Sequence, residues 1–218
     1  ILAMDEVDLV LFATPPGFRP AHVKAAVEAG KHIFMEKPGA VDPVGVRSLL
    51  ASSELAKKKG IAIGAGFQQR WMPQYLELLE HLRSGRLGQI TGAQAYWTCS
   101  MVDWHWTPRQ PEWSDMEWQI RCWPMFTWLS GDHYVEQLVH NLDVMNWVMG
   151  SNPVQCFGTG GRAVRTHGNV FDHFSVEYEY PNGFRTGAIA AQIRGMTSRV
   201  SNRIEGTKGI AEVNRGTA

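Results

Sequence analysis

The first third of the chain alternates between short apolar runs and helical patterns. The runs cover residues 8–14, 32–36 and 61–67. Continuous apolar runs of this length are typical of strands that are covered on both faces. An order of strand, helix, strand, helix, strand with short connections predicts a parallel sheet wound with right-handed crossovers.

Proline, glycine and aspartate mark the ends of the two intervening helices. Pro20 suits the first turn of a helix, and Gly30 ends it. Asp42 is an N-cap candidate directly before a proline, and the helix that it opens is expected to end at Gly60. Both predicted helices are therefore bounded by residues with a specific backbone preference.

The pattern changes after residue 67. Helical spacing over 73–83 precedes an alternating strand over 89–100, and a long helix is predicted over 132–149. Strands are then predicted over residues 154–157, 174–180 and 186–193, the last two joined by the turn Pro181-Asn182-Gly183. The predicted fold class is α/β: a parallel sheet in residues 1–67, followed in residues 68–218 by an α+β domain with a mainly antiparallel sheet.

Both ends of the sequence suggest a piece of a longer protein. Ile1 is not an initiator residue, and residues 209–213 are typical of a hairpin that stops before its partner strand. We therefore expect a chain that lacks the first half of its sheet domain and is truncated at its C-terminus. Any leader peptide would lie in the missing part, so localisation stays open: cytoplasmic is favoured, and export is the alternative.

One glycine-rich pattern in the sequence does not fit a dinucleotide-binding loop. Residues 158–163 match the G-x-G-x-x-A fingerprint of dinucleotide-binding loops, which must lead from a strand into a helix. The residues that follow, 165–169, cannot begin a helix. We expect the functional glycine-rich loop to lie before Ile1.

Charge and cysteine content argue against several kinds of partner and of site. Lys plus Arg and Asp plus Glu both number 21, so no net field attracts nucleic acid or an anionic membrane. No stretch approaches the roughly 18 apolar residues of a membrane span. Cys99, Cys122 and Cys156 form neither a disulfide framework nor a zinc motif, which favours a reducing compartment. No nucleic-acid partner and no membrane is expected.

Glu36-Lys37-Pro38 closes the second predicted strand. The carboxyl ends of parallel strands face the crevice where open α/β sheets bind ligands, and Lys37 would point into it as a proton donor or fixed positive charge. The proline must end the strand because it lacks a backbone donor. The alternative is an ordinary surface lysine at a strand end.

The long predicted helix has two unlike faces. Its apolar face is formed by Val135, Leu138, Leu142, Met145 and Met149, and the opposite face by His133, Glu136, His140 and Trp147. If another surface covers the polar face, Glu136 can accept a hydrogen bond from His140 and raise its basicity. A solvated face is one alternative. A zinc site is another, but H-E-x-x-H and a fourth ligand are missing, so we predict no metal.

Tryptophan is concentrated in one segment. Seven of the nine tryptophans lie between Trp97 and Trp128, most of them in the aperiodic residues 101–129, which include Trp104. Long aperiodic segments in compact domains are usually functional or interfacial. We favour a site wall or an oligomer contact over carbohydrate stacking.

Several of these motifs recur, in this order, in one known family. They are Asp8–Pro16 (DLVLFATPP), His22, Ala29–His32 (AGKH), Glu36-Lys37-Pro38, Gly85–Gly88 (GRLG) and Glu136–Asp143 (EQLVHNLD). The ordered set resembles the glucose–fructose oxidoreductase/inositol dehydrogenase (Gfo/Idh/MocA) family over almost the whole chain. The resemblance implies the second half of a Rossmann-type dinucleotide-binding domain in residues 1–67, and the family's α/β substrate and oligomerisation domain in residues 68–218.

The resemblance also implies roles for individual residues. Thr14, Pro15 and Pro16 would line the nicotinamide nucleotide site, with His22 and Glu36 among its cofactor-binding residues. Lys37 would contact both the nicotinamide ribose and the substrate, and His140 would be the catalytic acid/base. Gln68, Arg70 and His133 are substrate-contact candidates. Glu136 stands where the family more often has Asp, so its role in orienting His140 is expected with altered geometry.

The resemblance implies an NAD(P)-dependent oxidoreductase acting on a secondary alcohol of a sugar, sugar derivative or cyclitol. The expected cofactor is NAD or NADP, the expected partner is a small carbohydrate or cyclitol, and a homo-oligomer is expected. One alternative is a glycoside hydrolase or lyase of the same family that oxidises its substrate transiently. The other is a non-catalytic dinucleotide-binding or assembly module.

Overall fold

The computed structural model describes residues 1–100, 103 and 105–215, which divide into two compact units. The first unit comprises residues 1–66, 105–136 and 168–170, and the second comprises residues 67–104, 137–167 and 171–218. Neither unit is one continuous stretch. The sequence predicts two continuous domains, residues 1–67 and 68–218, and this division stays a prediction.

A three-stranded parallel sheet organises the first unit. Its strands are β1 (Leu9–Phe12), β2 (His32–Glu36) and β3 (Ile63–Gly66), hydrogen-bonded in that order. Helices α1 (Arg19–Glu28) and α2 (Pro43–Lys59) make the two crossovers and pack on each other. The predicted wound parallel sheet is confirmed.

Both ends of α2 are formed by the capping residues that the sequence predicts. The Asp42 carboxylate accepts a hydrogen bond from the Gly45 backbone N–H at 2.6 Å. Gly60 adopts φ of +71° and ends the helix in the left-handed conformation that glycine accepts without a Cβ penalty.

Only one face of the parallel sheet is buried in this chain, so the prediction of strands covered on both faces is wrong for the described residues. Val10 and Ile33 are buried, and Ile33 packs in a cluster with residues of α1 and α2. Leu9, Leu11 and Phe34 on the opposite face are exposed, Leu11 at 69%. The reason is topological. Two right-handed crossovers in the order β1-β2-β3 place both helices on the same side.

The tryptophan-rich segment of the first unit contains two short helices, α4 (Asp115–Arg121) and α5 (Thr127–Ser130). Ser114 caps α4 by accepting a hydrogen bond from the Glu117 backbone N–H at 3.1 Å. The segment packs through α5 against a 3-10 turn, Pro16–Phe18. Trp104 lies outside the described residues.

A six-stranded sheet organises the second unit. Its strands are β4 (Ile90–Cys99), β5 (Gln155–Gly161), β6 (His173–Glu179), β7 (Arg185–Gln192), β8 (Arg199–Gly206) and β9 (Gly209–Asn214). The order is β5-β6-β7-β4-β8-β9, and every pair is antiparallel except the central β4–β7 pair. The predicted mainly antiparallel sheet is confirmed.

The C-terminal hairpin corrects one prediction. Residues 209–213 form a hairpin within the chain, because β9 pairs with the preceding β8. Strand β8 is not predicted from the sequence because two of its buried residues, Ser201 and Asn202, are polar. The G-x-G-x-x-A glycines lie in β5, and the described residues 162–172 that follow form no helix, as predicted.

Two helices complete the second unit. Helix α3 (Pro73–Arg83) lies along β9, and α6 (Val139–Met149) packs against β4 and β8. The predicted helix over 132–149 is helical throughout, although a π-helical turn, Tyr134–Leu138, interrupts its α-helical geometry before α6. The predicted apolar face is confirmed at Leu138 and Met145, which are buried, whereas Val135, Leu142 and Met149 are only partly buried. The other buried residues of α6 are His140, Asn141 and Val144.

Within the part of the chain that the structure describes, no helix combines the length and apolar character that crossing a membrane requires.

Candidate active site

Lys37 lies directly after β2, at the carboxyl end of the parallel sheet of the first unit. Its ammonium donates to the Glu136 carboxylate at 2.5 Å and to the Glu136 main-chain oxygen, also at 2.5 Å. The two side chains are 15% and 8% exposed. The peptide bond from Lys37 to Pro38 is cis. Lys37 is therefore fixed by a short, mostly buried ion pair, unlike an ordinary surface lysine.

Glu136 reaches Lys37 from the π-helical turn Tyr134–Leu138. Turns of this kind interrupt a regular helix and occur frequently at functional sites. From the sequence, the Glu136 carboxylate is expected to orient His140. The partner that the structure gives it is Lys37, 99 positions away in the chain, and the orienting role towards His140 stays a prediction.

Thr14, Pro15 and Pro16 follow β1, the strand next to β2 in the sheet. Phe12 pairs with Met35, and Thr14 and Lys37 each come two residues later, so both leave the sheet at the same level. Thr14 Oγ1 lies 3.2 Å from His22 Nδ1. These residues thus lie at the edge where open α/β sheets bind nucleotides.

Aromatic rings support this loop from inside the first unit. The His22 ring stacks on Phe12 and Phe18 at centroid distances of 5.8 and 6.1 Å. Trp128 meets Phe18 edge-on at 5.8 Å. A Cβ on Gly17 would lie 2.4 Å from the Trp128 main-chain oxygen, so only glycine permits this approach. Trp128 therefore packs beside the predicted nucleotide loop.

The donor groups in the first unit fit the nicotinamide half of a dinucleotide. The Thr14 hydroxyl and the Lys37 ammonium can donate hydrogen bonds to ribose hydroxyls. Pro15 and Pro16 have no backbone N–H and present an apolar surface, which suits a flat ring. The exposed Glu36 side chain lies against Gly66 of β3, where a Cβ would be 3.4 Å from a carboxylate oxygen.

His140 belongs to the second unit and is 3% exposed. Its imidazole stacks on Trp97 at 5.8 Å with an interplanar angle of 18°, and it meets Phe67 edge-on at 6.1 Å. The neighbouring Asn141 donates to the Asn202 side chain at 2.8 Å and ties α6 to β8. The ring orientation of His140 is thus fixed by packing that sequence analysis did not predict, although Trp97 stands at an inward position of an alternating strand.

Arg70 is engaged by an acidic partner in the second unit. Its guanidinium donates to both Asp143 carboxylate oxygens, at 2.7 and 2.8 Å, and lies 5.0 Å from the Trp147 ring centroid. The hydrogen bond to Asp143 raises the pKa of Arg70. The amide of Gln68 faces the guanidinium of Arg215. The substrate-contact roles of Gln68 and Arg70 stay predictions.

His133 is buried in the first unit beside Asp132. Its backbone N–H donates to the Asp132 carboxylate at 2.7 Å, and Nε2 lies 3.9 Å from the same oxygen. Its role as a substrate contact also stays a prediction. No group of three or more His, Cys, Asp or Glu side chains suited to a metal ion occurs among the described residues.

Two family models match the chain. Residues 1–67 match the oxidoreductase family described as an NAD-binding Rossmann fold, and residues 75–212 match the GFO/IDH/MocA C-terminal domain. Among curated proteins, inositol 2-dehydrogenase of Rhizobium meliloti is 26% identical over 212 residues, which are 96% of this chain and 58% of that protein. The chain thus spans little more than half the length of this relative.

Solved structures share the fold. An oxidoreductase domain protein from Kribbella flavida superposes with a TM-score of 0.80 at 22% identity, over 98% of this chain and 56% of that one. Scyllo-inositol dehydrogenase from Lactobacillus casei, solved with NAD(H) and scyllo-inositol, superposes with a TM-score of 0.74 at 17% identity, over 99% and 59%. With both family models matched in order, the chain belongs to the GFO/IDH/MocA family of oxidoreductases with an NAD-binding Rossmann fold.

Proposed function

We propose that the protein containing this chain is a dehydrogenase that oxidises a secondary alcohol of a cyclitol or sugar with NAD or NADP. The observation that carries the proposal is the mostly buried Lys37–Glu136 ion pair at the carboxyl end of a parallel strand in a chain of this family. One relative is named for inositol, and one structural neighbour holds scyllo-inositol, so cyclitols are the first substrates to test.

In this proposal Lys37 stabilises charge on the substrate. An ammonium that donates to the alcohol oxygen favours the negative charge that develops there as the proton leaves. The Glu136 carboxylate holds the ammonium at 2.5 Å and restricts a side chain that would otherwise sample many rotamers. Its negative charge also compensates the ammonium within a mostly buried environment.

His140 is proposed as the base that takes the hydroxyl proton and returns it in the reverse reaction. Imidazole is suited to this role because its usual pKa lies near neutral pH. The stacked Trp97 ring and the edge of Phe67 restrict rotation of the imidazole, so its nitrogen atoms keep fixed directions.

Thr14, Pro15, Pro16 and Lys37 are proposed to hold the nicotinamide nucleotide. When bound, the nicotinamide ring supplies the acceptor for the hydride that leaves the alcohol carbon. The contribution of this chain is to orient the ribose through the Thr14 hydroxyl and the Lys37 ammonium. The Thr14 hydroxyl is itself oriented by His22, 3.2 Å away.

The natural full-length protein provides the test. It is mixed with NAD or NADP and with myo-inositol, scyllo-inositol or glucose, and the absorbance of reduced nicotinamide is followed. We expect accumulation with at least one pair. Lys37→Met and His140→Ala should each lower kcat about a hundredfold or more, the usual scale for groups that assist proton transfer. The control Lys31→Met should keep full activity, since Lys31 donates to the Met4 carbonyl at an exposed position, away from Lys37 and the Thr14 loop.

Other outcomes would contradict the proposal. Cleavage of a glycoside without accumulation of reduced nicotinamide would favour a hydrolase or lyase that oxidises its substrate transiently. Retained turnover in both Lys37→Met and His140→Ala would overturn their roles. Nucleotide binding with no turnover of any alcohol would favour a non-catalytic module.

A further inference from the structure

Arg19 holds the main chain on both sides of Lys37. The residue opens α1 and is 4% exposed. Its Nη1 donates to the Glu36 carbonyl at 2.8 Å and to the Pro38 carbonyl at 2.5 Å. These carbonyls belong to the residues immediately before and after Lys37. One guanidinium nitrogen therefore bridges the short segment that carries the lysine.

The charge of Arg19 is costly for folding. Burial lowers the pKa of the guanidinium, and the nearby carboxylates of Glu36 and Glu136 oppose that lowering. Among the described residues, the acceptors of Arg19 are neutral carbonyls rather than a carboxylate, and its Nε has no hydrogen-bond partner. A buried charge is weak evidence for stability, because apolar replacements are often neutral or stabilising. The charge is therefore better explained by what it positions.

We propose that Arg19 is a positioning residue for Lys37: it fixes the carbonyls on either side of the lysine and so keeps the ammonium on Glu136. The inference rests on the proposed function in so far as Lys37 acts on the substrate. Arg19 itself contacts neither reacting group in this proposal.

The length of the lysine side chain makes the position of its ammonium sensitive to the main chain. Four methylene groups separate the ammonium from the main chain, so a small rotation at the Lys37 backbone displaces the charge considerably. A displacement of about 1 Å at a reacting group can cost a hundredfold in rate. Glu136 fixes the far end of the side chain at 2.5 Å, and Arg19 fixes the near end.

The first measurement needs no turnover. Arg19→Gln and the unchanged full-length protein are methylated at lysine amines under native conditions with formaldehyde and a mild reductant, and each site is followed by peptide mass spectrometry. Lys59 is the internal reference, because it is held by two other carbonyls, those of Val27 and Glu28. We expect labelling of Lys37 to become roughly fivefold faster, as the loss of about one net hydrogen bond implies, with Lys59 unchanged.

The second measurement is kinetic. Arg19→Gln should lower kcat about tenfold or more, because the displaced ammonium of Lys37 no longer stabilises the charge that develops on the alcohol oxygen. Arg19→Lys keeps the charge and should recover part of kcat. If Arg19→Gln does not fold, Arg19→Lys takes its place in the labelling comparison.

Three results would overturn the proposal: unchanged Lys37 labelling in a folded Arg19→Gln variant, a parallel rise of Lys37 and Lys59, or an unchanged kcat. A parallel rise would show that Arg19 only stabilises the unit as a whole. If the unchanged protein turns over no alcohol, the proposed function fails by itself, and the labelling ratio still decides whether Arg19 holds Lys37.

Discussion

Two lysine–glutamate pairs in the first unit differ sharply at the residue scale. Lys37 and Glu136 are mostly buried and 2.5 Å apart, whereas Lys24 and Glu28 are more than half exposed and 3.9 Å apart. The place of Lys37 is predictable from the sequence because a proline ends its strand. The buried partner was not predictable, since no local pattern connects residues 99 positions apart.

We predict that Glu136→Leu lowers the free energy of unfolding by about 3 kcal/mol, because it leaves the Lys37 ammonium without its carboxylate in a mostly buried position. The matched variant Glu28→Leu removes the acid of the exposed pair and should change the free energy by less than about 0.5 kcal/mol. Denaturant titrations of both variants provide the measurement. Equal effects would show that the Lys37–Glu136 pair contributes no more than a surface pair.

At the scale of single elements, Asp172 holds the connection between β5 and β6 in place through hydrogen bonds to its main chain. Its side chain is fully buried, and one carboxylate oxygen accepts from the backbone N–H groups of Ala163, Val164 and Arg165 at 2.7 to 2.9 Å. The other oxygen lies 2.7 Å from His173 Nδ1. Burial acts to raise the pKa of Asp172, but these hydrogen bonds outweigh it and lower the pKa well below its usual value.

The lowered pKa predicts a loss of stability in acid. A carboxyl group whose pKa is lower in the folded chain than in the unfolded chain stabilises the fold fully at pH values above its unfolded-chain pKa, which is near 4 for Asp. This stabilisation is lost as the pH falls towards the pKa of the folded chain. The free energy of unfolding should therefore decrease below about pH 4. In Asp172→Asn the decrease should be smaller, and an identical decrease in both proteins would contradict the assignment. Urea titrations over a pH series provide the measurement.

A strand is predicted correctly where its turns contain proline or glycine and its buried residues are apolar, and it is missed where a buried residue is polar. The β6–β7 hairpin is predicted by Pro181-Asn182-Gly183, and Gly183 indeed adopts φ of +77°. Strand β8 is missed because Asn202, fully buried, is satisfied by Asn141 in place of apolar packing. Hydrophobic periodicity cannot detect a strand whose inward position is polar and is paired with a distant amide.

At the scale of the whole molecule, the first unit is assembled from three separate segments. Residues 168–170 reach it from between β5 and β6, where the Asn169 side chain accepts from the Thr127 backbone N–H at 2.8 Å. Gly168 adopts φ of +69°, and a Cβ there would lie 2.3 Å from the Met125 main-chain oxygen. The sequence gives no local sign of this arrangement, because the bond between Asn169 and Thr127 joins residues 42 positions apart.

We predict that Gly168→Ala lowers the free energy of unfolding by about 3 kcal/mol, because a strained backbone conformation and a steric clash combine. Gly183→Ala is the matched control. Gly183 has the same sign of φ, but a Cβ there meets nothing within 4 Å, so we expect about 1 kcal/mol. Thermal and denaturant unfolding compare the two variants, and equal losses would show that the close approach to Met125 is unimportant.

The π-helical turn Tyr134–Leu138 interrupts the regular hydrogen-bond pattern of the helix directly before α6. A π-helical turn contains one residue more than an α-helical turn, so loss of a single residue here would be absorbed by a return to regular α-helical geometry, and His140 and the side chains beyond it would keep their directions. Loss of one residue inside α6 would instead turn every later side chain through roughly 100°. An alignment of relatives can accordingly place a one-residue gap in this turn without changing which residues of α6 face β4 and β8. For protein engineering, this turn is a position at which the length of the helix can change while the side chains that follow it keep their directions.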